Sequence, residues 1–241
     1  MTATGVMVYT LVTFDLDGTL VDTAGEIAEA ANRTLADNGF AQRSAADISL
    51  LIGQGAQALM RTLLLQASQA TGRTIGPALT DTALQCFDAH YAQTVGSSAA
   101  PYPGAVDTLR RLRLQGVKLA CVTNKELRHT LRVLQANQLD DCFDLVNGGD
   151  SLPEKKPNAS VLRAVAQALG CALAGTAHVG DSAIDVASAR NAGVTAWAVP
   201  YGYNGGLPIS ASQPDRIFQH LAEIADHVLA GRAPRASEAG R

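Results

Sequence analysis

Four short runs hold residue types that can do chemistry. DLDGT supplies Asp15 and Asp17, VTN supplies Thr123 and Asn124, KKP supplies Lys155 and Lys156, and GDSAID supplies Asp181 and Asp185. Phosphoryl transfer needs such a set: a nucleophile, an acid for the leaving oxygen, oxygen ligands for a hard cation, and donors around three charged oxygens. Each run alone has an ordinary reading. Asp-Gly pairs favour tight turns, GDS makes a helix N-cap with Asp181 or Ser182, and two lysines before a proline can be solvated charges, which is the expectation for Lys155. Their common setting is what distinguishes them, because each follows a predicted strand.

Residues 8–14 are apolar and β-prone without helical period, as expected of a strand buried on both faces of a parallel sheet. Residues 23–96 change character: Ala-, Leu- and Gln-rich stretches place apolar residues three and four apart, as at Leu59, Leu63 and Leu64, and no strand is legible. The turn-rich stretch SSAAPYPG at 97–104 ends this segment at a helix start. Helical patterns then alternate with short apolar strands at 117–122, 143–146, 176–179 and 194–199, the rhythm of βαβ units. The fold expected is α/β, a doubly wound, Rossmann-like parallel sheet made from residues 1–22 and 98–230, with a helical cap inserted at 23–97 and a frayed tail at 231–241. In such sheets ligands gather at the carboxyl ends of the strands, where all four runs fall.

In their order, the four runs resemble the haloacid dehalogenase (HAD) superfamily in its branch of magnesium phosphatases, over residues 8–227. The stretch from Pro200, PYGYNGG, then LPIS and QPDRIF, is similar to bacterial phosphoglycolate phosphatases. The resemblance implies that Asp15 attacks phosphorus and becomes an aspartyl phosphate, and that Asp17 protonates the leaving alkoxide and later takes a proton from water. A dehalogenase attacking carbon needs no such acid, so Asp17 speaks for a phosphatase. Gly18 would allow a tight turn beside the phosphate, with Thr19 and nearby amides donating to it. Thr123 and the Asn124 amide would also hold phosphoryl oxygens, and Lys156, directly before Pro157, would offset developing charge. Pro157 suits the first turn of a helix, although Ala159 stands where relatives often carry a second proline. Mg2+ would be held by Asp15, Asp181 and the Asp17 carbonyl, with Asp185 orienting water or Lys156 from behind. The implied substrate is 2-phosphoglycolate.

Its carboxylate calls for a cation or several amides in the cap. No lysine precedes Lys118, which leaves Arg33, Arg43, Arg61 and Arg73, or the amides of Gly53, Gln54 and Gly55, and spacing does not choose among them. A calcium loop would use Asp15, Asp17, Thr19 and Glu26, but it needs glycine where Leu20 stands. GQGAQA, residues 53–58, fits a dinucleotide motif, yet no acid follows at the required distance and no βαβ unit surrounds it; a helix start is the better reading. A phosphoglucomutase-like transfer to a sugar, another small phosphate ester, and a receiver-type signalling module holding a lasting phosphoaspartate remain as alternatives. His129, His178 and His220 lack partners at ligand spacing, so packing is expected of them.

Composition narrows the partners. The net charge is −3 with scattered Lys and Arg, which leaves no basic stripe for nucleic acid or anionic lipid. Four separated cysteines read as buried thiols of a reducing compartment, and no leader or membrane span is legible, so a cytoplasmic location is expected. Periodicity reveals no oligomer interface.

Overall fold

The computed structural model describes residues 8–231. Strand β1 (Leu11–Phe14) leads through a turn to β2 (Val21–Asp22) and then to four helices, α1 (Ala24–Asp37), α2 (Ala45–Ser49), α3 (Ala56–Thr71) and α4 (Pro77–Thr94). The chain returns through β3 (Ala100–Pro101) to α5 (Ala105–Leu114), β4 (Lys118–Val122), α6 (Leu127–Ala136), β5 (Leu145–Asn147), α7 (Ala159–Ala168) and β6 (Thr176–Gly180). It ends with α8 (Ala183–Ala192), β7 (Thr195–Ala198), β8 (Arg216–Ile217) and α9 (Leu221–Ala230).

Six strands form one parallel sheet in the order β5-β4-β1-β6-β7-β8. The α/β fold class expected from the sequence is therefore observed. The chain runs from β1 outward through β4 and β5, then crosses back to β6 on the other side. The sheet thus switches direction at β1, and such a switch opens a crevice at the carboxyl edge. Register makes the crevice useful: Phe14 pairs with Cys121 on one side and Val179 on the other. Asp15, Thr123 and Asp181 accordingly leave their strands along one edge.

Alternation assigns the two faces. Val12, Phe14, Leu119, Cys121, Ala177 and Val179 join one apolar core with residues of α5, α6 and α9. Leu11, Ala120, Val122, Ala196 and Ala198 face the other, with residues of α7 and α8. Cys121 and Cys142 are buried, whereas Cys86 and Cys171 are only half-buried, and all four are free thiols. Among the described residues no helix is long and apolar enough to cross a membrane.

The stretch read as strand-free is four helices. Their buried stripe includes Ile27, Leu35, Leu59, Met60, Leu63, Leu64, Phe87 and Tyr91, so the spacing of Leu59, Leu63 and Leu64 does mark an inward face. Both connections to the sheet pass through a two-stranded ribbon, Val21 opposite Pro101 and Asp22 opposite Ala100. It is too short to show a period in sequence, as is edge strand β8. The first strand is shorter than residues 8–14, because its neighbour β6 begins only at Thr176, opposite Leu11, and Val8 is half exposed. The third expected strand is displaced to Leu145–Asn147. The tail expected at 231–241 lies, beyond Gly231, outside the described residues.

Trp197 closes the α9 side of the core, 4.6 Å from the Tyr9 ring and 5.3 Å from those of Phe218 and His227, centroid to centroid. Trp197→Ala is expected to cost about 3–5 kcal/mol, read as a lower urea midpoint with an unchanged slope. Leu114→Ala, at a side chain 79% exposed, should stay within about 0.5 kcal/mol; equal losses would contradict this account of the core.

Candidate active site

Asp15 follows β1 directly, and its amide donates to Val179 O on β6, which anchors the residue at the sheet edge. Its carboxylate is buried, and the Lys156 ammonium stands 2.9 Å from Oδ1. That oxygen nevertheless accepts no well-aligned hydrogen bond among the described residues. Lys156 lies in the loop after β5, its Nζ also 2.7 Å from Asp185 Oδ1. Asn124 fixes this loop: its Nδ2 donates to Lys156 O and its Oδ1 accepts from Lys156 N, both at 3.0 Å. Pro157 does not open the helix as expected. Helix α7 starts at Ala159, where the Asn158 side chain accepts from the Ser160 amide and so provides the cap.

Asp185 has two tasks. As the third residue of α8 it accepts from the Ser182 amide and hydroxyl through Oδ2, a capping arrangement. Through Oδ1 it meets Lys156 and, at 3.2 Å, His178 Nε2. His178 points from β6 between Asp185 and the Thr13 hydroxyl, 2.8 Å from its Nδ1. Packing was expected of His178, and it is buried, but it also braces Asp185, a role that the chain order does not signal.

Electrostatics follow from burying three acids beside one ammonium. Burial first, then the charge of Asp185, push the Asp15 carboxyl up to about 6 against the opposing pull of Lys156. Burial, together with Asp185 and Asp15, raises Asp181 well above the ordinary carboxylate range. Burial acts on Asp185 in the same sense, but Lys156 and His178 outweigh it and hold that carboxyl far below. Lys156 in turn stays protonated: burial alone would lower it, and its two carboxylate partners raise it above a normal lysine. Oxygens of Asp15, Asp181 and Asp185 lie within 4.8 Å of one another. The excess negative charge, the hard oxygen donors and the unaligned Asp15 Oδ1 all suit Mg2+. The Asp185 oxygens are already engaged by four donors, whereas each Asp181 oxygen accepts a single hydrogen bond and Asp15 Oδ1 no well-aligned one, so Asp15 and Asp181 keep lone pairs for a cation.

Gly18 has φ +83°, and a Cβ there would meet Asp181 Oδ2 at 2.5 Å, so only glycine fits this turn. The expectation that Thr19 donates to phosphate needs correction. The Gly18 amide donates to Val21 O, the Thr19 amide to Leu16 O, and the Thr19 hydroxyl to Asp181 Oδ1 at 2.8 Å. Thr19 thus positions an acid. Within the DLDGT and VTN runs the amides of Leu16, Asp17 and Asn124 are the ones that donate to no protein atom. The Thr123 hydroxyl accepts from the Lys125 amide and keeps its own proton for another acceptor. Tyr203 N donates to Asp181 Oδ2, and the Tyr203 hydroxyl meets Asp22 and accepts from the amides of Thr23 and Ala24, so the PYGYNGG loop spans from the acid to the start of α1.

Asp17 lines a cavity of about 40 Å³, room for roughly three water-sized groups. Its wall also includes Asp15, Thr123, Asn124, Lys125, Gly53, Gly55 and the apolar side chains of Ile27, Ile52, Leu59 and Phe87. Of the residues expected to read the substrate, Gly53 and Gly55 are there, and Asn124 Nδ2 donates to Gly53 O. Gln54 is exposed and lines a different groove. The arginines are elsewhere. Arg33 pairs with Glu29 at 2.5 Å on the surface, Arg73 lies over the Phe40 ring, and Arg43 and Arg61 line outer grooves. GQGAQA is a helix start, with α3 beginning at Ala56 after Gly55. Of the histidines without a ligand role, His129 meets Asp88 and the Tyr91 ring, and His220 precedes α9.

Residues 12–199 match the model of the haloacid dehalogenase-like hydrolase family. A phosphoglycolate phosphatase of Vibrio vulnificus is 39% identical over 223 residues, 91% of this chain and 96% of its own. That of Thiobacillus denitrificans is 36% identical, over 89% and 93% of the two chains. The crystal structure of a predicted phosphoglycolate phosphatase from Haemophilus somnus superposes with a TM-score of 0.87 at 32% identity, over 90% of this chain and 97% of that one. By the extent of these matches the chain belongs to the haloacid dehalogenase-like hydrolases.

Proposed function

We propose that this hydrolase is a magnesium-dependent phosphomonoesterase that works through a phosphorylated Asp15 on 2-phosphoglycolate in the cytoplasm. One observation carries the reaction class. Asp15 and Asp17, two residues apart on one strand end, line the same narrow cavity, with Lys156 beside the first. The relatives named phosphoglycolate phosphatase support the substrate, and a cavity of this size suits a leaving group of few atoms.

In the first displacement an Asp15 oxygen bonds to phosphorus as the ester P–O bond breaks, and Asp17 gives its proton to the departing glycolate oxygen. In the second, Asp17 takes a proton from water, whose oxygen attacks phosphorus; the Asp15–phosphorus bond breaks and inorganic phosphate leaves. The Thr123 hydroxyl and the amides of Leu16, Asp17 and Asn124 hold the phosphoryl oxygens, and Lys156 offsets their charge. Asp15, Asp181 and the Asp17 carbonyl would hold Mg2+, which supplies further charge neutralisation to the phosphoryl group when bound. Asp185 keeps Lys156 in place.

Phosphate release should be measured across 2-phosphoglycolate, sugar phosphates and nucleotides, with Mg2+. Phosphoglycolate is expected to give the highest kcat/KM, Asp15→Asn to lower kcat by at least about 10⁴-fold without unfolding, and a chelator to silence the enzyme. A different preferred ester would overturn the substrate; no free phosphate from folded, metal-loaded protein would overturn the hydrolytic reading.

Metal binding has its own readout. Mg2+ at a hundred times its Kd should stabilise the fold by about 2.7 kcal/mol, seen as a rise in Tm. Asp181→Asn should lose most of that rise. A wild-type Tm indifferent to Mg2+ would count against the proposed ligands.

A further inference from the structure

Lys125, on the loop after β4, has a buried side chain on the cavity wall. Its ammonium is 2.9 Å from Asp17 Oδ1 and contacts the Tyr91 hydroxyl, with the Tyr91 ring centroid 4.7 Å away. A buried lysine is costly unless paired, and the proposed mechanism does not use this one. We propose that Lys125 is the specificity-determining residue of this site, its ammonium binding a carboxylate carried on the first carbon of the leaving group. The inference rests on the phosphoglycolate reading above and deepens it.

Position is the first support. Lys156 serves the transferred phosphoryl group, since it stands against Asp15. Lys125 stands against Asp17, the group proposed to protonate the leaving oxygen. Lys125 Nζ and that oxygen therefore have the same carboxyl as neighbour, and a substituent one carbon beyond the oxygen comes within reach of Nζ.

Elimination is the second. Arg33, Arg43, Arg61 and Arg73 all lie away from the cavity. Among the described residues Lys125 is the only Lys or Arg that lines the cavity; the backbone of Gly53 and Gly55 shares the wall with it, as uncharged donors, and the rest includes the apolar side chains of Ile27, Ile52, Leu59 and Phe87. Glu126 also lines the cavity but is half-buried toward solvent. A single ammonium on that wall favours an anionic group over a neutral one of the same shape.

Bracing is the third. Lysine has three donors, and among the described residues Lys125 spends two, on Asp17 and Tyr91. The Tyr91 hydroxyl donates to Glu26 Oε1 at 3.0 Å and so presents a lone pair to Lys125. Glu26 Oε2 accepts from the Gly96 amide at 2.7 Å, and the Thr23 hydroxyl donates to Asp17 Oδ1 at 2.7 Å. The ammonium is thus held from both connections between the sheet and the four helices, with one donor left for a ligand.

The test compares kcat/KM for 2-phosphoglycolate and for 2-hydroxyethyl phosphate, which replaces the carboxylate by a neutral hydroxymethyl group. Both esters are run on the same preparation, so the folded fraction cancels from the ratio. Lys125→Met should lower the ratio by about 100-fold or more, and Lys125→Arg should keep most of it. An equal loss on both esters, with wild type still preferring phosphoglycolate, overturns the inference and leaves the proposed function standing: Lys125 then acts only through Asp17. If wild type prefers another carboxylate-bearing ester and Lys125→Met erases that preference, the inference is supported and phosphoglycolate falls. A wild-type enzyme indifferent to the carboxylate overturns both.

Discussion

The site depends on the contact of one buried ammonium with two buried carboxylates. Lys156 Nζ stands 2.9 Å from Asp15 and 2.7 Å from Asp185, and its side chain is 2% exposed. Acids removed from water repel one another and cost free energy unless a cation and hydrogen bonds compensate. The position of that cation is in turn set by regular structure. Asp185 is held at the first turn of α8, His178 backs it from β6, and Thr13 backs His178 from β1. A line of polar contacts therefore runs from the middle of the sheet to the residue that would attack phosphorus. Three acids beside one lysine remain short of positive charge, and burial first, then the repulsion between these acids, raises the proton affinities of Asp15 and Asp181.

A second constraint joins the four helices to the sheet. Asn124 bonds Gly53 on one side and the Lys156 loop on the other. Tyr203 ties Asp181 to the start of α1, and Lys125, Tyr91 and Glu26 tie Asp17 to the return connection. Residues that face the chemistry are the ones that bridge the two parts. Each such bond contributes about 0.5–1.5 kcal/mol, enough to orient side chains while the apolar cores of helices and sheet supply most of the stability. A small cavity, lined in part by apolar side chains and, among the described residues, by one cation, Lys125, follows from that arrangement.

Several features were legible in the sequence because they are local. Strand and helix periods depend on neighbours a few residues apart, so Leu59, Leu63 and Leu64 announce an inward face and the apolar stretches announce strands. Acids and a threonine placed directly after predicted strands, with a lysine in the loop after another, announce an edge site, since parallel strands in register must end together. The ribbon of β2 and β3 and the edge strand β8 were not legible, because pairs of residues carry no period. Nor was the first strand's true start, which its partner β6 decides.

What residue type alone determined is the chemical inventory at the strand ends. Which member of that inventory is free to act was decided only by tertiary structure, since a donor's availability depends on partners distant in the chain. Thr19 offers a hydroxyl in sequence, yet Asp181, far along the chain, takes it. Gly18 and Thr19 offer amides, yet the turn consumes both, and those of Leu16 and Asp17 are left. Arginines are the helical segment's only full cations in sequence, yet they face away, and Lys125 enters the cavity from the sheet side. Spacing along the chain sets which groups can meet within one element; burial and hydrogen bonding between elements set which groups remain for a substrate.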